Sequence, residues 1–337
     1  MFTRKNSNDL LTNITINYDP CVIFTSSIGN IINNNTSNNN SLESEKEIEL
    51  FVSGRNQSKS HSFFQYLTYS LNNDDISEKS KNENTKLFKI WNYTPHEVIN
   101  FIFPFKTSPN NQFSDGIFIF NSKFEALLKS ENYNNYTMDD EVYSKPKIDF
   151  KNELVYGLIA DIGLKIFDLN KKETQKILYP GKKHIFNDYI ICNENKNIIF
   201  TCEDKKIYIY DVTDEKCSIS RPSKMEIDLL SEASINGQRF YGYSYENSSL
   251  YLYDIRNFNQ FVDVIKKDVD INKMIYDKNK KKLFFLEDGS GAIISIDDKK
   301  QEDIYETHKQ IKDFNINEDN KYMNIIMEDN SINIINY

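Results

Sequence analysis

The residues that could support catalysis or metal binding in this chain are few and widely separated. The chain contains four histidines and four cysteines. No histidine belongs to an H-E-x-x-H motif or has a second histidine four residues later, and no two cysteines form a C-x-x-C pair. The eight residues are His61, His96, His184, His308, Cys21, Cys192, Cys202 and Cys217. We therefore expect no metal site, histidines with structural roles and cysteines that are buried free thiols.

Motifs for nucleophilic catalysis and phosphate binding are also absent from the sequence. There is no G-x-S-x-G elbow, no P-loop and no G-x-G-x-x-G. Gly289-Ser290-Gly291 is predicted to form a turn between strands. Asp139-Asp140-Glu141 is predicted to be a solvated part of a polar linker, and Trp91 to be a core anchor. The sequence thus predicts no catalytic residue and no cofactor, and it favours a protein that is not an enzyme.

The composition excludes several further classes of protein. The 337 residues include 41 Lys and Arg against 50 Asp and Glu, and the formal charge of −9 argues against nonspecific binding of nucleic acid. No run of about 18 apolar residues indicates a transmembrane helix, and the polar stretch at residues 1–9 does not resemble a signal peptide. We expect an intracellular, cytoplasmic protein without a transmembrane segment.

A repeated strand organises the chain. Five short segments of alternating apolar residues each end in an acidic or amide residue, and these ends lie 43, 43, 43 and 39 residues apart. The five end residues are Asp168, Asp211, Asp254, Asp297 and Asn336. A period near 43 with several strands in each repeat is typical of a WD40-type propeller blade. We expect Asp168, Asp211, Asp254 and Asp297 to be structural residues that bond turns within blades, and not to be catalytic.

Each repeat contains the other strands that a blade requires. Two apolar segments precede each repeated strand and a further one can follow it, which predicts a four-stranded antiparallel meander. In Ile207-Tyr208-Ile209-Tyr210 the isoleucines face one side of the strand and the tyrosines face the other. A strand that is apolar on both faces needs a blade on each side of it. The 23 Phe and 21 Tyr supply this filling between blades.

The first 145 residues are less regular, but they supply two more blades. Residues 63–70 and 116–121 are predicted to be the third strands of these blades, which gives seven blades in total. The last blade ends at its third strand, and the alternating residues 11–18 are predicted to supply its missing outer strand. The fold class predicted is therefore an all-β, seven-bladed WD40-type β-propeller with four-stranded antiparallel blades.

The predicted propeller is a single domain over residues 1–337 with two interruptions. The Asn-rich sequence at about 28–46 is predicted to be a disordered insertion, because such a segment cannot bury apolar area. A second interruption, a polar loop, is predicted at about 72–84.

Several segments between residues 47 and 337 have a more specific pattern. In residues 47–72 an apolar strand runs into a Gly-containing, Gln-Ser turn and a second strand, and Leu158-Ile159-Ala160-Asp161 precedes an Asp-Leu ending at Leu169. Tyr253-Asp254-Ile255-Arg256-Asn257 has the form W-D-x-R-N with Tyr in place of Trp. Together with residues 96–99 and 304–308, these segments resemble the EARP and GARP complex-interacting protein family, a family of WD40 propellers.

The resemblance implies a non-enzymatic adaptor of endosomal recycling and retrograde traffic, peripheral at the Golgi or endosomes, that binds subunits of a vesicle-tethering complex. Two alternatives remain open. The segments 242–246 and 253–257 also resemble the WD40 enzyme of diphthamide biosynthesis that hydrolyses the methyl ester of diphthine on translation elongation factor two. The second alternative is a generic WD40 subunit of a chromatin or translation complex.

Overall fold

The computed structural model contains only β-strands among its regular elements in the part of the chain that it describes. The described residues are 10–15, 21–34, 45–56, 61–71, 85–93, 99, 101–105, 116–128, 134–160, 162–178, 186–192, 197–202, 205–211, 217–233, 238–256, 261–297, 300–317 and 321–337. No helix among these residues is long and apolar enough to cross a membrane.

The strands are, in chain order, β1 (Leu10–Thr15), β2 (Cys21–Asn34), β3 (Glu45–Asn56), β4 (His61–Leu71), β5 (Thr85–Tyr93), β6 (Phe101–Phe105), β7 (Gly116–Phe120), β8 (Phe124–Leu128), β9 (Asn134–Asp139), β10 (Ser144–Asp149), β11 (Leu154–Ile159), β12 (Gly163–Asp168), β13 (Glu173–Leu178), β14 (Phe186–Cys192), β15 (Asn197–Cys202), β16 (Lys206–Asp211), β17 (Cys217–Pro222), β18 (Leu229–Glu232), β19 (Arg239–Ser244), β20 (Ser249–Asp254), β21 (Asp263–Lys266), β22 (Ile271–Asp277), β23 (Lys282–Glu287), β24 (Ala292–Asp297), β25 (Lys300–Glu306), β26 (Ile311–Asn317), β27 (Tyr322–Met327) and β28 (Ser331–Asn336).

The strands form seven four-stranded antiparallel sheets, and these are the blades of a seven-bladed β-propeller, as the sequence predicts. Two compact units divide the blades between them. The first unit, mainly Ser144–Leu169 and Glu173–Gln310, contains four meanders, β10–β13, β14–β17, β18–β21 and β22–β25. The second unit, mainly Asn6–Tyr143 and Ile311–Tyr337, contains β2–β5, β6–β9 and the sheet in the order β1-β28-β27-β26.

In the second unit, β1 completes the blade formed by β26, β27 and β28. It pairs antiparallel with β28, and the register places Asn13 opposite Asn333 and Ile14 opposite Ile332. The outer strand predicted at residues 11–18 is thus confirmed for residues 11–15, and residues 16–18 lie outside the described part of the chain. This pairing covers the edge of β28, which would otherwise expose unpaired backbone groups.

The alternating residues of β16 are buried on both faces. Tyr208 and Tyr210 lie in a hydrophobic cluster with Leu164 and Ile166 of β12. Ile207 and Ile209 lie in a second cluster with Phe240 and other residues of the next meander. The period-two pattern therefore places the tyrosines against the preceding blade and the isoleucines against the following one.

One strand assignment from the sequence is wrong. Gly116–Phe120 is the second strand of its blade and not the third, because β6 precedes it and β8 and β9 follow it in the sheet. The tight turn at Asn121 explains the difference: the Asn121 side chain accepts a hydrogen bond from the backbone N–H of Lys123, and the chain returns at once as β8. Both strands are buried and apolar, so their order in the blade could not be read from hydrophobicity.

The two predicted interruptions lie largely outside the described residues. Strands β2 and β3 occupy the two ends of the Asn-rich region, up to Asn34 and from Glu45, and residues 35–44 between them are outside the described part. Residues 72–84, predicted as a polar loop, are also outside it. The predicted disorder is wrong for residues 28–34 and 45–46, which belong to the paired strands β2 and β3, and it stays a prediction for residues 35–44, as does the polar loop.

Candidate interaction face

The four repeat aspartates each end the third strand of a blade in the first unit, at the last residues of β12, β16, β20 and β24. Asp254 shows the expected turn bonding: its carboxylate accepts a hydrogen bond from the Arg256 backbone N–H at 3.0 Å and two more from the Arg256 side chain. Arg239 lies 3.6 Å away. These hydrogen bonds, above all from Arg256, hold the pKa of Asp254 well below its usual range. The structural role stays a prediction for Asp168, Asp211 and Asp297.

Two aspartates that the sequence analysis did not single out order the turns between first and second strands. Asp149 accepts hydrogen bonds from the backbone N–H groups of Lys151 and Asn152. Asp277 does the same for Asn279 and Lys280. The signal was present in the sequence, because aspartate followed by a polar stretch between two apolar strands is typical of such a turn.

A polar network joins the first strands of neighbouring blades. The buried carboxylate of Asp188 in β14 accepts hydrogen bonds from the backbone N–H groups of Tyr189 and of Leu230 in β18. Lys145 of β10 lies 3.6 Å from the same carboxylate. The hydroxyl of Tyr189 lies 2.8 Å from the carbonyl oxygen of Lys145 and 3.0 Å from that of Tyr156, so its proton links β14 to the preceding blade. These contacts fix the relative positions of three successive first strands.

Lys147 and Cys192 lie on the same two strands, β10 and β14, as Lys145 and Tyr189. The Lys147 ammonium donates to the carbonyl oxygen of Tyr189 and lies 4.8 Å from the centre of the Tyr189 ring. Burial lowers the pKa of Lys147, against the opposing effect of the Asp188 and Glu232 charges. Burial also raises the pKa of the Cys192 thiol to about 12, so this cysteine is the buried free thiol that the sequence predicts.

Other candidates from the sequence are also accounted for where the structure describes them. Gly289-Ser290-Gly291 lies in the turn between β23 and β24, as predicted. Asp139 is not simply solvated, because it ends β9 and accepts hydrogen bonds from the Tyr143 hydroxyl and the Glu141 backbone N–H. His308 is exposed. Within the described residues, no three His, Cys, Asp or Glu side chains are grouped to hold a metal ion.

An aromatic ring is exposed at one end of the meander β18–β21 in the first unit. Tyr245 directly follows β19 and is 50% exposed. Its ring packs edge-to-face against Tyr243, with 5.1 Å between the ring centres. Its backbone N–H donates to the Asp228 carboxylate at 2.7 Å. The ring is therefore held on a fixed support and not on a free loop.

Three carboxylates lie at the same end of this blade and of the next one, β22–β25. Asp228 and Asp270 directly precede the first strands β18 and β22, and Asp288 directly follows the second strand β23. Since the first two strands of a blade are antiparallel, the start of one and the end of the other lie together. We call Asp228, Tyr245, Asp270 and Asp288 the Tyr245 face.

The charges of these carboxylates act on the Tyr245 hydroxyl. Burial is the main cause that raises the pKa of the Tyr245 hydroxyl, and nearby negative charges raise it further. The charges are those of Asp228, Asp288, Asp270 and Asp188. Burial also raises the pKa of Asp228, the charges of Glu226 and Glu246 add to the effect, and the Tyr245 backbone N–H and the Lys145 charge oppose it. The face thus has a negative potential at an aromatic centre.

Hydrogen bonds hold the carboxylates in place without neutralising them. Asp270 accepts from the Ser248 hydroxyl at 2.9 Å, and Asp288 accepts from the Asn272 side chain at 2.7 Å. No Lys or Arg among the described residues forms a salt bridge with Asp228, Asp270 or Asp288. Glu246, which follows Tyr245 in the chain, forms an exposed salt bridge with Lys205 at 2.8 Å.

A comparison with protein-family models gives no match, and a comparison with curated proteins gives no significant match. Neither comparison supports the resemblance to the EARP and GARP complex-interacting protein family.

Proposed function

We propose that this protein is a non-enzymatic scaffold that binds other proteins through the ends of its blades. The observation that supports this most directly is the Tyr245 face, where a half-exposed aromatic ring is fixed among carboxylates that lack a described basic partner. Tyrosine is enriched at protein interfaces because it combines a large apolar ring with a polar end. A rigid blade end presents such a ring at little entropic cost.

The candidate reactive groups are consistent with a scaffold rather than an enzyme. Cys192 is buried and has a raised pKa, which disfavours the nucleophilic thiolate. The Lys147 ammonium is bound to a backbone carbonyl and covers a tyrosine ring. The Asp254 carboxylate is bound by Arg256. Each of these groups has a structural role in the contacts that the strands make.

We propose further that the complex to which the scaffold belongs is a vesicle-tethering complex of endosomal recycling and retrograde traffic. Only the resemblance of the sequence segments supports this finer proposal, and it implies a peripheral location at the Golgi or endosomes. The absence of a membrane-spanning helix among the described residues is compatible with peripheral attachment.

Affinity purification of the tagged full chain from its own cells, followed by mass spectrometry, tests these proposals. The scaffold proposal predicts recovery of partner proteins in stoichiometric amounts, and the trafficking proposal predicts that they are tethering-complex subunits. Recovery of the tagged chain alone would contradict the scaffold. Recovery of elongation factor two, with accumulation of methyl diphthine when the gene is deleted, would instead support the esterase that the sequence also resembles.

A further inference from the structure

The Tyr245 face combines two independent features. One is an aromatic ring that is 50% exposed although it follows a buried strand. The other is a set of three carboxylates from two blades that make no salt bridge with a described residue. Together the two features describe a surface for a ligand that is both cationic and able to pack on an aromatic face.

The face is preorganised in its backbone and in its side chains. The Asp228 backbone N–H donates to the Tyr243 carbonyl oxygen, and the Asp288 N–H donates to that of Asp270. The Tyr243 hydroxyl donates to the Val269 carbonyl oxygen at 2.8 Å and so connects the two blades directly beneath the ring. A ligand therefore meets groups that are already in place, which reduces the entropy lost on binding.

The charges select among the classes of partner. A phosphate backbone would be repelled by the carboxylates around Tyr245, and the whole chain carries a formal charge of −9. Acidic protein segments would be repelled for the same reason. Arginine and lysine side chains, in contrast, pair with carboxylates and are attracted to the face of a tyrosine ring. The complementary occupant is a basic polypeptide segment.

We infer that the Tyr245 face binds an exposed, arginine- and lysine-rich segment of a partner protein. This inference rests on the proposed scaffold function and specifies the chemistry of its partner. One basic side chain lies against the Tyr245 ring, and others pair with the carboxylates of Asp270 and Asp288. Asp228 is held by the Tyr245 backbone N–H and contributes mainly negative potential.

Fluorescence anisotropy with a defined probe tests the inference on the purified full chain. The probe is a fluorescein-labelled 12-residue peptide in which arginine and lysine alternate with glycine and serine, and the reference peptide has glutamine at every basic position. We expect binding of the basic peptide only. Binding should weaken steeply when the salt concentration rises from about 0.1 M to 1 M, because the screening length then falls from about 10 Å to about 3 Å.

Matched variants separate the face from the general negative charge of the protein. Tyr245→Ala should weaken binding about two- to fivefold, whereas Tyr245→Phe keeps the ring and should bind as the native chain does. Asp270→Asn with Asp288→Asn should weaken it about fivefold. The control, Glu173→Gln with Asp303→Asn, removes the same charge from exposed positions on β13 and β25. It should leave the affinity unchanged.

Two results would overturn the inference. One is equal affinity for the basic and glutamine peptides, and the other is an equal loss of affinity in the face variant and its control. Repeating the affinity purification with Tyr245→Ala, Asp270→Asn and Asp288→Asn combined separates this inference from the scaffold proposal. If the native chain and this variant recover the same partners, the scaffold stands and the Tyr245 face is not its binding site. If the native chain recovers none, the scaffold proposal itself fails.

Discussion

The hydroxyl of Tyr189 offers a sharp test of how neighbouring blades are joined. This tyrosine is fully buried, and its single proton is shared between the carbonyl oxygens of Lys145 and Tyr156 at 2.8 and 3.0 Å. Tyr189→Phe keeps the ring and its contact with Lys147 but removes the donor. We expect this change to destabilise the protein, because two buried acceptors lose their shared partner.

The expected loss follows from the contacts. A neutral hydrogen bond contributes about 0.5–1.5 kcal/mol net, and a buried acceptor left without a partner adds a desolvation cost. Carbonyl oxygens with a second lone pair tolerate this better than N–H groups do, so we expect a total of about 1–2 kcal/mol. Tyr243→Phe should behave similarly, since the Tyr243 hydroxyl donates to the Val269 carbonyl oxygen at 2.8 Å between the next two blades.

Differential scanning calorimetry of the full chain provides the assay. Tyr189→Phe should lower the melting temperature by about 1.5–3 °C, because the unfolding entropy of a 337-residue chain is about 0.7 kcal/mol per kelvin. Tyr245→Phe is the matched control, because it removes a hydroxyl from a side chain that is 50% exposed, and it should shift the melting temperature by less than about 1 °C. If Tyr189→Phe has the same melting temperature as the native chain or as the Tyr245→Phe control, the Tyr189 hydroxyl does not join the blades and the reasoning is refuted.

Three further outcomes follow from the described residues. Gly163→Ala should lower the free energy of unfolding by about 2 kcal/mol or more, because Gly163 has φ of +141° and an added Cβ would lie 2.4 Å from the Leu178 carbonyl oxygen. An unchanged midpoint in a urea titration would contradict this. Asp254→Asn should destabilise the protein by about 0.5–1 kcal/mol at pH 7. Because the pKa of Asp254 is depressed in the folded state, the native carboxylate should stabilise the protein above pH 4 and lose this effect only as the pH falls well below 4. A difference in stability that does not depend on pH would argue against the pairing with Arg256. The pKa of Cys192 is raised to about 12, so its thiol should resist iodoacetamide in the native chain at pH 8 and react after unfolding. Mass spectrometry of the peptide that contains Cys192 measures this labelling, and rapid labelling of the native chain would contradict the prediction.

Much of the fold could be predicted from the regular part of the chain. The third strands β12, β16, β20 and β24 follow from aspartates that recur every 43 residues, and the missing strand of the last blade follows from the alternation at residues 11–18. The order of strands around Gly116–Phe120 could not be read in the same way. Buried second and third strands are equally apolar, and only the turn at Asn121 distinguishes them.

The candidate site was not predicted, although its positions follow the repeat. Asp228 and Asp270 lie 42 residues apart before first strands, and Tyr245 and Asp288 lie 43 residues apart after second strands. The period brings these four positions to one end of adjacent blades, but it does not show which side chains there remain exposed or unpaired. The exposure of Tyr245 depends on how side chains such as Tyr243 pack around it, and the repeat period does not predict this packing.

Amide hydrogen exchange in β28 tests most directly whether the chain forms seven four-stranded blades with the last completed by β1. In the full chain, the amides of Ser331–Asn336 should be as protected as those of β27, because β1 and β27 cover both edges of β28. Deletion of residues 1–20 should remove that protection in β28 and lower the free energy of unfolding by about 3 kcal/mol or more, at about 1 kcal/mol for each ladder hydrogen bond lost. Exchange in β28 that is rapid in the full chain, or unchanged by the deletion, would contradict the account.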